Sequence, residues 1–274
     1  MANRTVQIGG VSIGENHGLA LIAGPCVIES RDLTFRIAEQ LKRLTTQLQM
    51  PFIFKASFDK ANRTSAGAFR GIGSEEGLRI LLEVAHEFAV PVTTDVHESH
   101  QAAEVARHVQ LLQIPAFLAR QTDLLLAAAA TGKAVNVKKG QFMAPTDMRY
   151  VVEKLQSGGA RNILLTERGT FFGYGRLVND MRSIPEMQAT GCPVIFDATH
   201  SVQRPSAENG KTGGDREMVG YLAAAAVATG CDGVFLETHP DPDSSPSDGP
   251  NMVPLAQMEK LLTRLLRIHA AISG

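Results

Sequence analysis

The segment LALIAGPC, residues 19–26, is a short apolar run that ends in a cysteine, a residue able to bind a metal ion. Seven further runs have the same character, and almost every one closes on a side chain that can hold an anion or a metal. The eight runs are Leu19–Cys26, Phe52–Ser57, Val90–Val96, Val109–Pro115, Ala134–Lys138, Asn162–Arg168, Val194–His200 and Gly233–His239. Their polar endings are Cys26, Lys55, Asp95, Gln113, Lys138, Arg168, His200 and Glu237. A parallel β/α barrel gathers the ends of eight strands around one mouth, so the pattern predicts one shared site.

Segments with helical spacing of apolar residues separate the runs. They are Asp32–Gln49, Glu75–Phe88, Ser99–His108, Asp123–Ala130, Asp147–Ser157, Asn179–Thr190, Glu217–Thr229 and Leu255–Ile272. Strands that alternate with helices indicate a parallel sheet with helical crossovers. An open doubly wound sheet is the alternative, but such a sheet concentrates its site at one switch point. Because the functional endings are spread over all eight strands, we favour a (β/α)8 barrel.

The chain length fits one such barrel. We expect residues 1–274 to form a single domain, because barrels of this kind are about 250 residues long. The segment Thr5–Ile13 reads as a hairpin that turns at Gly9-Gly10, and we expect residues 1–17 to cap the N-terminal end of the barrel. Three long connections follow strands, and long loops at a barrel mouth are commonly binding loops or lids. They are Asp59–Gly73, Ser201–Asp215 and Asp241–Asn251.

The overall charge gives no reason to expect a polyanionic partner. The formal net charge is −1, so there is no global attraction to nucleic acid or to an acidic membrane surface. The most apolar stretch, Leu222–Gly230, is too short to span a bilayer. The three cysteines make no disulfide framework, and the N-terminus has no signal-peptide core. We expect a cytoplasmic protein that binds neither nucleic acid nor membrane.

Four residues form a candidate metal site. Cys26, His200 and Glu237 follow the first, seventh and eighth strands, and Asp248 lies in the loop after the eighth. A thiolate, an imidazole and two carboxylates suit one divalent ion such as Zn²⁺, Fe²⁺, Mn²⁺ or Co²⁺. A free cysteine alone is usually just a buried thiol, so the prediction depends on closure of the barrel, which makes the eighth strand a neighbour of the first.

Six cationic side chains lie at or just after strand ends. They are Lys55, Lys60, Arg63, Arg120, Lys138 and Arg168. Fixed cations at this density would repel one another without an anionic ligand, and phosphate or carboxylate groups are the natural candidates. For Lys60 and Arg63 a solvated charged loop is the alternative, because most charged residues are simply exposed. Lys138 and Arg168 each close an apolar strand, which favours a binding role.

Eight segments resemble one enzyme family over essentially the whole chain. They are AGPCVIES (23–30), FKASFDKANRTS (54–65), TDVHE (94–98), LQIPAFLARQTDLL (112–125), NVKKGQF (136–142), TERGTFFGYG (166–175), FDATHSVQRP (196–205) and ETHPDPDSSPSDGPN (237–251). With these blocks the chain resembles the 3-deoxy-D-manno-octulosonate 8-phosphate synthases. The resemblance implies a transferase, usually a homotetramer, that condenses phosphoenolpyruvate with arabinose 5-phosphate and releases phosphate, in lipopolysaccharide biosynthesis.

The same resemblance implies roles for particular residues. Phosphoenolpyruvate would be bound by Lys55, Ser57, Lys60, Gln113, Lys138 and Arg168. Arabinose 5-phosphate would be bound by Asn62, Arg63, Thr64, Asp95 and Arg120, with Arg120 acting in its own or a neighbouring subunit. Lys60, His200, Asp95 and Cys26 would take part in catalysis. Cys26 also places the chain with the metal-requiring branch, since the other branch has Asn at that position.

Other functions stay open on the sequence alone. The related 3-deoxy-arabino-heptulosonate 7-phosphate synthases share the barrel and the metal residues and use erythrose 4-phosphate. They typically carry Lys-Pro-Arg-Thr where this chain has Lys60-Ala61-Asn62-Arg63-Thr64. A metal-dependent aldolase or isomerase, and a sugar-phosphate-binding regulator without catalysis, are the other candidates.

Overall fold

The computed structural model describes residues 5–62, 67–208 and 211–273. Its strands are β1 Thr5–Ile8, β2 Val11–Gly14, β3 Ala20–Gly24, β4 Phe52–Lys55, β5 Val92–Asp95, β6 Leu111–Ile114, β7 Ala134–Lys138, β8 Ile163–Glu167, β9 Thr170–Phe171, β10 Leu177–Val178, β11 Val194–Asp197, β12 Gln203–Glu208, β13 Lys211–Gly214, β14 Gly233–His239 and β15 Val253–Pro254. Its helices are α1 Arg31–Gln47, α2 Ser74–Phe88, α3 Gln101–Val105, α4 Thr122–Ala130, α5 Met148–Ser157, α6 Ser183–Gln188, α7 Val219–Ala228 and α8 Met258–Ser273.

Eight of these strands form a closed ring. The neighbours run β3, β4, β5, β6, β7, β8, β11 and β14, every pair is parallel, and β14 also pairs with β3. Closure confirms the predicted (β/α)8 barrel and removes the open-sheet alternative. It also brings the first and the last barrel strands side by side, as the metal prediction requires.

Alternation along each barrel strand divides its side chains between two cores. Outward residues such as Phe54 and Leu236 pack against the surrounding helices in the larger apolar cluster. Inward residues such as Ile53 and Phe235 form a smaller cluster inside the barrel. This two-sided burial explains why the strands are nearly continuous apolar runs.

The N-terminal hairpin closes one end of the inner core. Strands β1 and β2 pair antiparallel around the Gly9-Gly10 turn. Gly9 has φ of 57°, a left-handed conformation that favours glycine, and a Cβ there would lie 3.1 Å from Cγ of Pro91, just before β5. Val6, Ile8 and Ile13 join the apolar cluster inside the barrel. The hairpin therefore covers the N-terminal end of the barrel, as the sequence predicted.

The helices match the predicted positions, with two clear differences in length. Ser30 caps α1 as predicted, accepting a hydrogen bond from the Leu33 amide at 3.3 Å. Helix α3 is confined to Gln101–Val105, because the amides of Arg107 and His108 bond three residues back and tighten the last turn. The helix predicted over Asn179–Thr190 is restricted to α6, because the amides of Ser183 and Ile184 at its start, and of Thr190 and Gly191 at its end, bond three residues back in tighter turns.

The segment Ser201–Asp215 is not an irregular loop. Strands β12 and β13 within it form an antiparallel hairpin. Its base is fixed by the Arg204 guanidinium, which donates to both oxygens of Asp215 at 2.7 and 2.9 Å. The glycines of the return strand hide the pairing from a sequence pattern, since glycine is a poor strand former.

None of the helices in the described part of the chain is both long and apolar enough to cross a membrane.

Candidate functional site

A layer of polar side chains covers the inner apolar core at the C-terminal end of the barrel strands. The inward positions there are held by Lys55, Asp95, Gln113, Asn136, Asp197 and Glu237, all buried. Close approach of β3 and β4 depends on Gly24, since a Cβ there would lie 2.0 Å from the Lys55 carbonyl oxygen. The predicted strand-end residues therefore share the C-terminal mouth, where barrel enzymes carry their sites.

Three of the four predicted metal ligands lie together. One ligand atom from each of Cys26, Glu237 and Asp248 falls within 4.8 Å of the other two. The Cys26 thiol lies 3.2 Å from Asp248 Oδ2 and 3.1 Å from the Ser247 hydroxyl. The described residues offer no hydrogen-bond partner to Glu237 Oε2, a buried atom. A buried acceptor without a donor is costly, so this cluster is suited to a cation.

His200, the fourth predicted metal ligand, lies beside the Cys26–Glu237–Asp248 group and is not part of it. Its Nε2 lies 3.5 Å from Glu237 Oε1. Its Nδ1 contacts Asp197 Oδ2 at 2.8 Å, and its amide donates to Asp197 Oδ1 at 2.9 Å. A histidine whose other ring nitrogen is held by a carboxylate is the usual arrangement at a metal site, so the geometry fits the predicted role.

The electrostatics of the cluster also favour a cation. Burial, and then the charge of Glu237, raise the pKa of the Cys26 thiol well above its usual range. Burial likewise opposes ionisation of Glu237, but His200 and Lys55 lower the pKa of that carboxyl overall. Since a thiol binds metal as its thiolate, a divalent ion would supply the positive charge that the buried thiolate needs.

Lys55, predicted as a phosphoenolpyruvate ligand, lies at the centre of the polar layer. Its ammonium donates to Glu237 Oε1 at 3.1 Å and to the Ser57 hydroxyl at 2.8 Å, and it lies 3.6 Å from Asp95. Burial lowers its pKa, but Asp95 and Glu237 outweigh that effect and raise the pKa overall. Lys55 therefore stays charged and joins the metal cluster to the Ser57–Asp95 side of the mouth.

A hydrogen-bonded chain extends this layer across three more strands. The Gln113 amide donates to Asp95 at 2.7 Å, Asn136 donates to Gln113 at 3.1 Å, and Thr166 donates to Asn136 at 2.7 Å. The sequence predicts Gln113 and Asp95 as site residues but does not single out Asn136 and Thr166. Their signal was a polar residue at an inward position of an apolar strand.

The two cations that close β7 and β8 are both buried. The Lys138 ammonium donates to Asp197 Oδ2 at 2.6 Å, and burial lowers the pKa of Lys138. Arg168 donates from Nη2 to Gln203 Oε1 at 2.7 Å. Its Nη1 is buried and has no acceptor among the described residues. A buried guanidinium with a free donor calls for an anion, because guanidinium matches carboxylate and phosphate geometry.

Two bridges connect these cations to the metal cluster. Asp197 accepts from Lys138 and also holds His200. Gln203 accepts from Arg168 and donates to Asp248 Oδ1 at 3.2 Å. Neither Asp197 nor Gln203 was singled out from the sequence, because only the barrel register and the β12–β13 hairpin bring them here.

Lys60 lies among the anionic groups of the site. Burial lowers the pKa of its ammonium, but Cys26, Glu237, Asp248 and Asp95 together raise that pKa well above its usual range. Asp95 shows the opposite effect. Burial would raise the pKa of this carboxyl, but the charges of Lys55 and Lys60 hold that pKa well below its usual range. Both groups are therefore charged, so Lys60 is suited to electrostatic stabilisation rather than to proton abstraction.

The remaining predicted sugar-phosphate ligands are not gathered by the described contacts. Asn62 is exposed, and Arg63 and Thr64 lie outside the described residues. Arg120 is exposed on the connection after β6, where its carbonyl accepts a bond from Lys154 at 3.1 Å. Asp95 is the one member of the predicted set that the structure places within the polar layer.

Comparison with known proteins relates the whole chain to one family. The sequence profile of the DAHP synthetase I family matches residues 3–272. A 2-dehydro-3-deoxyphosphooctonate aldolase of Cyanothece sp. is 59% identical over 263 residues, which are 96% of each chain. The enzyme of the same name from Nitrobacter winogradskyi is 57% identical over 98% of this chain and 94% of its own. That from Brucella ovis is 56% identical over 97% and 96% respectively.

Proposed function

The chain belongs to the DAHP synthetase I family and, within it, to the 2-dehydro-3-deoxyphosphooctonate aldolases; from that membership we propose its reaction. Phosphoenolpyruvate condenses with D-arabinose 5-phosphate and water to give 3-deoxy-D-manno-octulosonate 8-phosphate and inorganic phosphate. The observation that carries the proposal is one mouth in which buried cations and a cluster of metal-type ligands are linked by Asp197 and Gln203. An anionic enol substrate beside a carbonyl substrate that a cation would polarise needs that combination.

Lys138 and Arg168 are the proposed ligands of phosphoenolpyruvate. Both are buried at the mouth, and Arg168 Nη1 has no acceptor in the described part of the chain. A ligand with one phosphate and one carboxylate would offset the two charges, which burial otherwise penalises. Lys55, Ser57, Lys60 and Gln113 complete the proposed pocket from the neighbouring strands.

The sugar phosphate is proposed to lie on the side of Asp95 and the loop after β4. Asp95 is ionised and would accept a hydrogen bond from a sugar hydroxyl. Asn62, Arg63 and Thr64 are proposed to bind the phosphate end. Arg120, exposed in its own subunit, is proposed to reach the site of a neighbouring one.

The proposed chemistry forms one carbon–carbon bond and, at C2, forms one carbon–oxygen bond to water and breaks the one to phosphate. C3 of phosphoenolpyruvate attacks the aldehyde carbon, and the aldehyde oxygen takes up a proton to become a hydroxyl. Water adds at C2 and loses a proton, and the resulting phosphohemiketal gives up its C2 hydroxyl proton as phosphate leaves, which forms the keto acid and inorganic phosphate. Holding both substrates in register is worth roughly 7–11 kcal/mol in favourable cases, and the Lys and Arg side chains offset repulsion between the two phosphates.

We further propose that one divalent ion, Zn²⁺, Fe²⁺, Mn²⁺ or Co²⁺, is held by Cys26, His200, Glu237 and Asp248. The compact Cys26–Glu237–Asp248 cluster and the unpartnered Glu237 Oε2 support it. Such an ion supplies Lewis acidity towards the aldehyde or its neighbouring hydroxyl, or lowers the pKa of a bound water. His200 is proposed to move a proton close to that cluster.

The proposal extends to assembly and location. We propose a homotetramer, supported by exposed aromatic side chains on the connections after β6, β7 and β8. We propose the cytoplasm as its location, because Cys26, Cys192 and Cys231 are free thiols, as expected in a reducing compartment. There its product would supply the eight-carbon sugar of lipopolysaccharide.

The decisive experiment measures phosphate release from phosphoenolpyruvate with arabinose 5-phosphate, with and without a chelator. We expect release that requires the sugar and falls on chelation. Erythrose 4-phosphate is the comparison substrate. A preference for it would show instead that the chain is a 3-deoxy-arabino-heptulosonate 7-phosphate synthase. Binding of both ligands without release of phosphate would instead favour a regulator.

A further inference from the structure

A second pair of charged residues lies directly behind the phosphoenolpyruvate cations. Lys139 follows Lys138, and Glu167 precedes Arg168. Lys139 is fully buried and Glu167 is 2% exposed. Since successive side chains of a strand point to opposite faces, Lys138 and Arg168 face the mouth while Lys139 and Glu167 face away from it. No role assigned above uses this pair.

The Lys139 ammonium connects two loops of the mouth. It lies 3.6 Å from Glu167 Oε1. On the β7 side it donates to the carbonyls of Gly140 and Met143 at 3.3 and 3.5 Å. On the β8 side it donates to the Gly169 carbonyl at 3.4 Å and to the Thr170 hydroxyl at 3.2 Å. One buried cation therefore binds the backbone that follows both strands.

Glu167 fixes the backbone immediately after Arg168. Its Oε1 accepts from the Gly169 amide at 2.6 Å, and Gly169 has φ of 94°, a conformation that favours glycine. The turn is crowded, because a Cβ on Gly169 would lie 3.2 Å from Leu177 Cβ. The backbone immediately after Arg168 is thus held twice, with the Gly169 amide bonded to Glu167 and the Gly169 carbonyl bonded to Lys139.

The strand register transmits this restraint to the two cations. Lys138 pairs with Thr166 across β7 and β8, and the Lys139 amide donates to the Thr166 carbonyl at 2.8 Å. The Lys139–Glu167 ion pair connects the same two strand ends one residue beyond the Lys138–Thr166 pair. Any shift of one strand end against the other would change the separation of Lys138 and Arg168.

We propose that Lys139 and Glu167 are positioning residues that set the spacing of Lys138 and Arg168 for a ligand carrying a phosphate and a carboxylate. This inference rests on the proposed function, because it assigns phosphoenolpyruvate to those two cations. The pair touches neither substrate and acts through the strand ends. A misplacement of about 1 Å can cost about a hundredfold in reaction rate, and we expect a comparable change in the spacing of the two cations to weaken binding of the ligand as well.

The test uses the metal-loaded protein and two single variants. Glu167→Gln keeps the shape of the side chain and removes its charge, and Lys139→Met keeps the aliphatic stem and removes the ammonium. The affinity for phosphoenolpyruvate is measured by calorimetry, and the KM for arabinose 5-phosphate by phosphate release. We expect the Kd for phosphoenolpyruvate to rise by about tenfold or more, with the KM for the sugar phosphate unchanged. Glu167→Asp, which retains the charge, should partly restore the affinity.

Two controls distinguish a positioning role of the pair from a role in stability alone. Leu262→Ala in α8 removes a fully buried side chain on another side of the barrel, so it lowers thermal stability without touching the mouth. The double variant Lys139→Met/Glu167→Gln leaves no unpaired charge buried and replaces either single variant that does not fold. Variants of the pair that lose stability as Leu262→Ala does, yet bind phosphoenolpyruvate as tightly as the unaltered protein, would overturn the proposal.

Failure of the function and failure of the inference give different results. If the unaltered protein binds no phosphoenolpyruvate, the proposed function fails, and the crystal structure of Glu167→Gln then decides the inference. A changed separation of Lys138 and Arg168 in that structure supports the positioning role. An unchanged separation refutes it, whatever the ligand of the site.

Discussion

Asp197 is the residue on which both halves of the site converge. It is fully buried, yet Lys138 and both the ring and the amide of His200 bond to it. Burial would raise its pKa, but His200 and Lys138 lower that pKa far below its usual range. The carboxylate therefore stays charged, holds the imidazole in one orientation and holds the ammonium in place.

Replacing Asp197 should impair both functions of the mouth at once. Asp197→Asn keeps the shape but loses the charge, so His200 loses its orienting partner and Lys138 its counter-ion. Loss of a carboxylate behind a metal-bound histidine costs about 10–100-fold in metal affinity or activity. We expect a fall of that size in metal affinity together with a higher KM for phosphoenolpyruvate. Metal titration and steady-state kinetics measure the two effects, and a change in only one of them would contradict the bridging role.

Cys26 differs from the other two thiols in the residues that it contacts. Cys26 contacts Asp248 and Ser247, whereas Cys231 is a buried free thiol just before β14, at the other end of the barrel. We expect Cys26→Ala to lose bound metal and all chelator-sensitive activity, because the thiolate ligand is gone. Cys231→Ala is the matched control and should retain both. Elemental analysis of the purified variants gives the metal content, and a metal-free Cys26→Ala protein with full activity would remove Cys26 from the site.

The residues of the site differ in how far a sequence can predict them. Lys138, Arg168 and Glu237 end apolar runs, so their place at the mouth follows from the strand pattern alone. Gln203 and Asp197 act through contacts between different strands and a hairpin, which depend on register and closure. Arg120 is the opposite case. The strand pattern predicts its position after β6, but its side chain is exposed and has no partner within the described site.

Among the elements, the β12–β13 hairpin is the one that reaches from the anion side to the metal side. Its first residue, Gln203, contacts both Arg168 and Asp248. Periodicity predicted the barrel strands because both their faces are buried, but a glycine-rich hairpin over the mouth has no such pattern.

Ligand binding should protect this hairpin from exchange. Phosphoenolpyruvate bound at Arg168 would fix the guanidinium that Gln203 contacts, so the base of the hairpin loses freedom to open. We expect slower amide hydrogen exchange over residues 201–215 in the presence of metal and phosphoenolpyruvate, measured by mass spectrometry. Helix α8, remote from the mouth, is the internal reference. Equal exchange of the hairpin in both states would argue against a lid.

The N-terminal hairpin should contribute stability and not activity. Ile8 is 1% exposed in the inner core at the end opposite to the site. Ile8→Ala should lower the free energy of unfolding by about 2–5 kcal/mol, the cost of a large-to-small change in a packed core. Denaturant unfolding measures this loss, and kcat/KM at 25 °C should not change. Val11→Ala, at a partly buried position of the same hairpin, should cost less.

At the scale of the whole molecule, one face of the mouth is unusually aromatic. Phe117, Phe142, Phe171, Phe172 and Tyr174 are between 51% and 85% exposed. They lie on three adjacent loops, two of which are joined where the Phe171 amide donates to the Gln141 carbonyl at 3.2 Å. Exposed aromatic clusters of this kind mark protein interfaces, and this one lies near Arg120, the residue proposed to act in a neighbouring subunit.

Polar substitution of this aromatic face should break the proposed tetramer. In Phe171→Ser/Phe172→Ser two apolar contacts of the interface are lost, so sedimentation velocity should show smaller species than for the unaltered chain. The KM for arabinose 5-phosphate should rise with dissociation, because Arg120 would no longer reach a neighbouring site. Tyr221→Ser, at a position 63% exposed on α7, is the matched control and should leave the assembly intact. If the doubly substituted protein is still a tetramer, the interface lies elsewhere. If the unaltered chain sediments as a monomer, both the tetramer and the role of Arg120 in a neighbouring subunit are wrong.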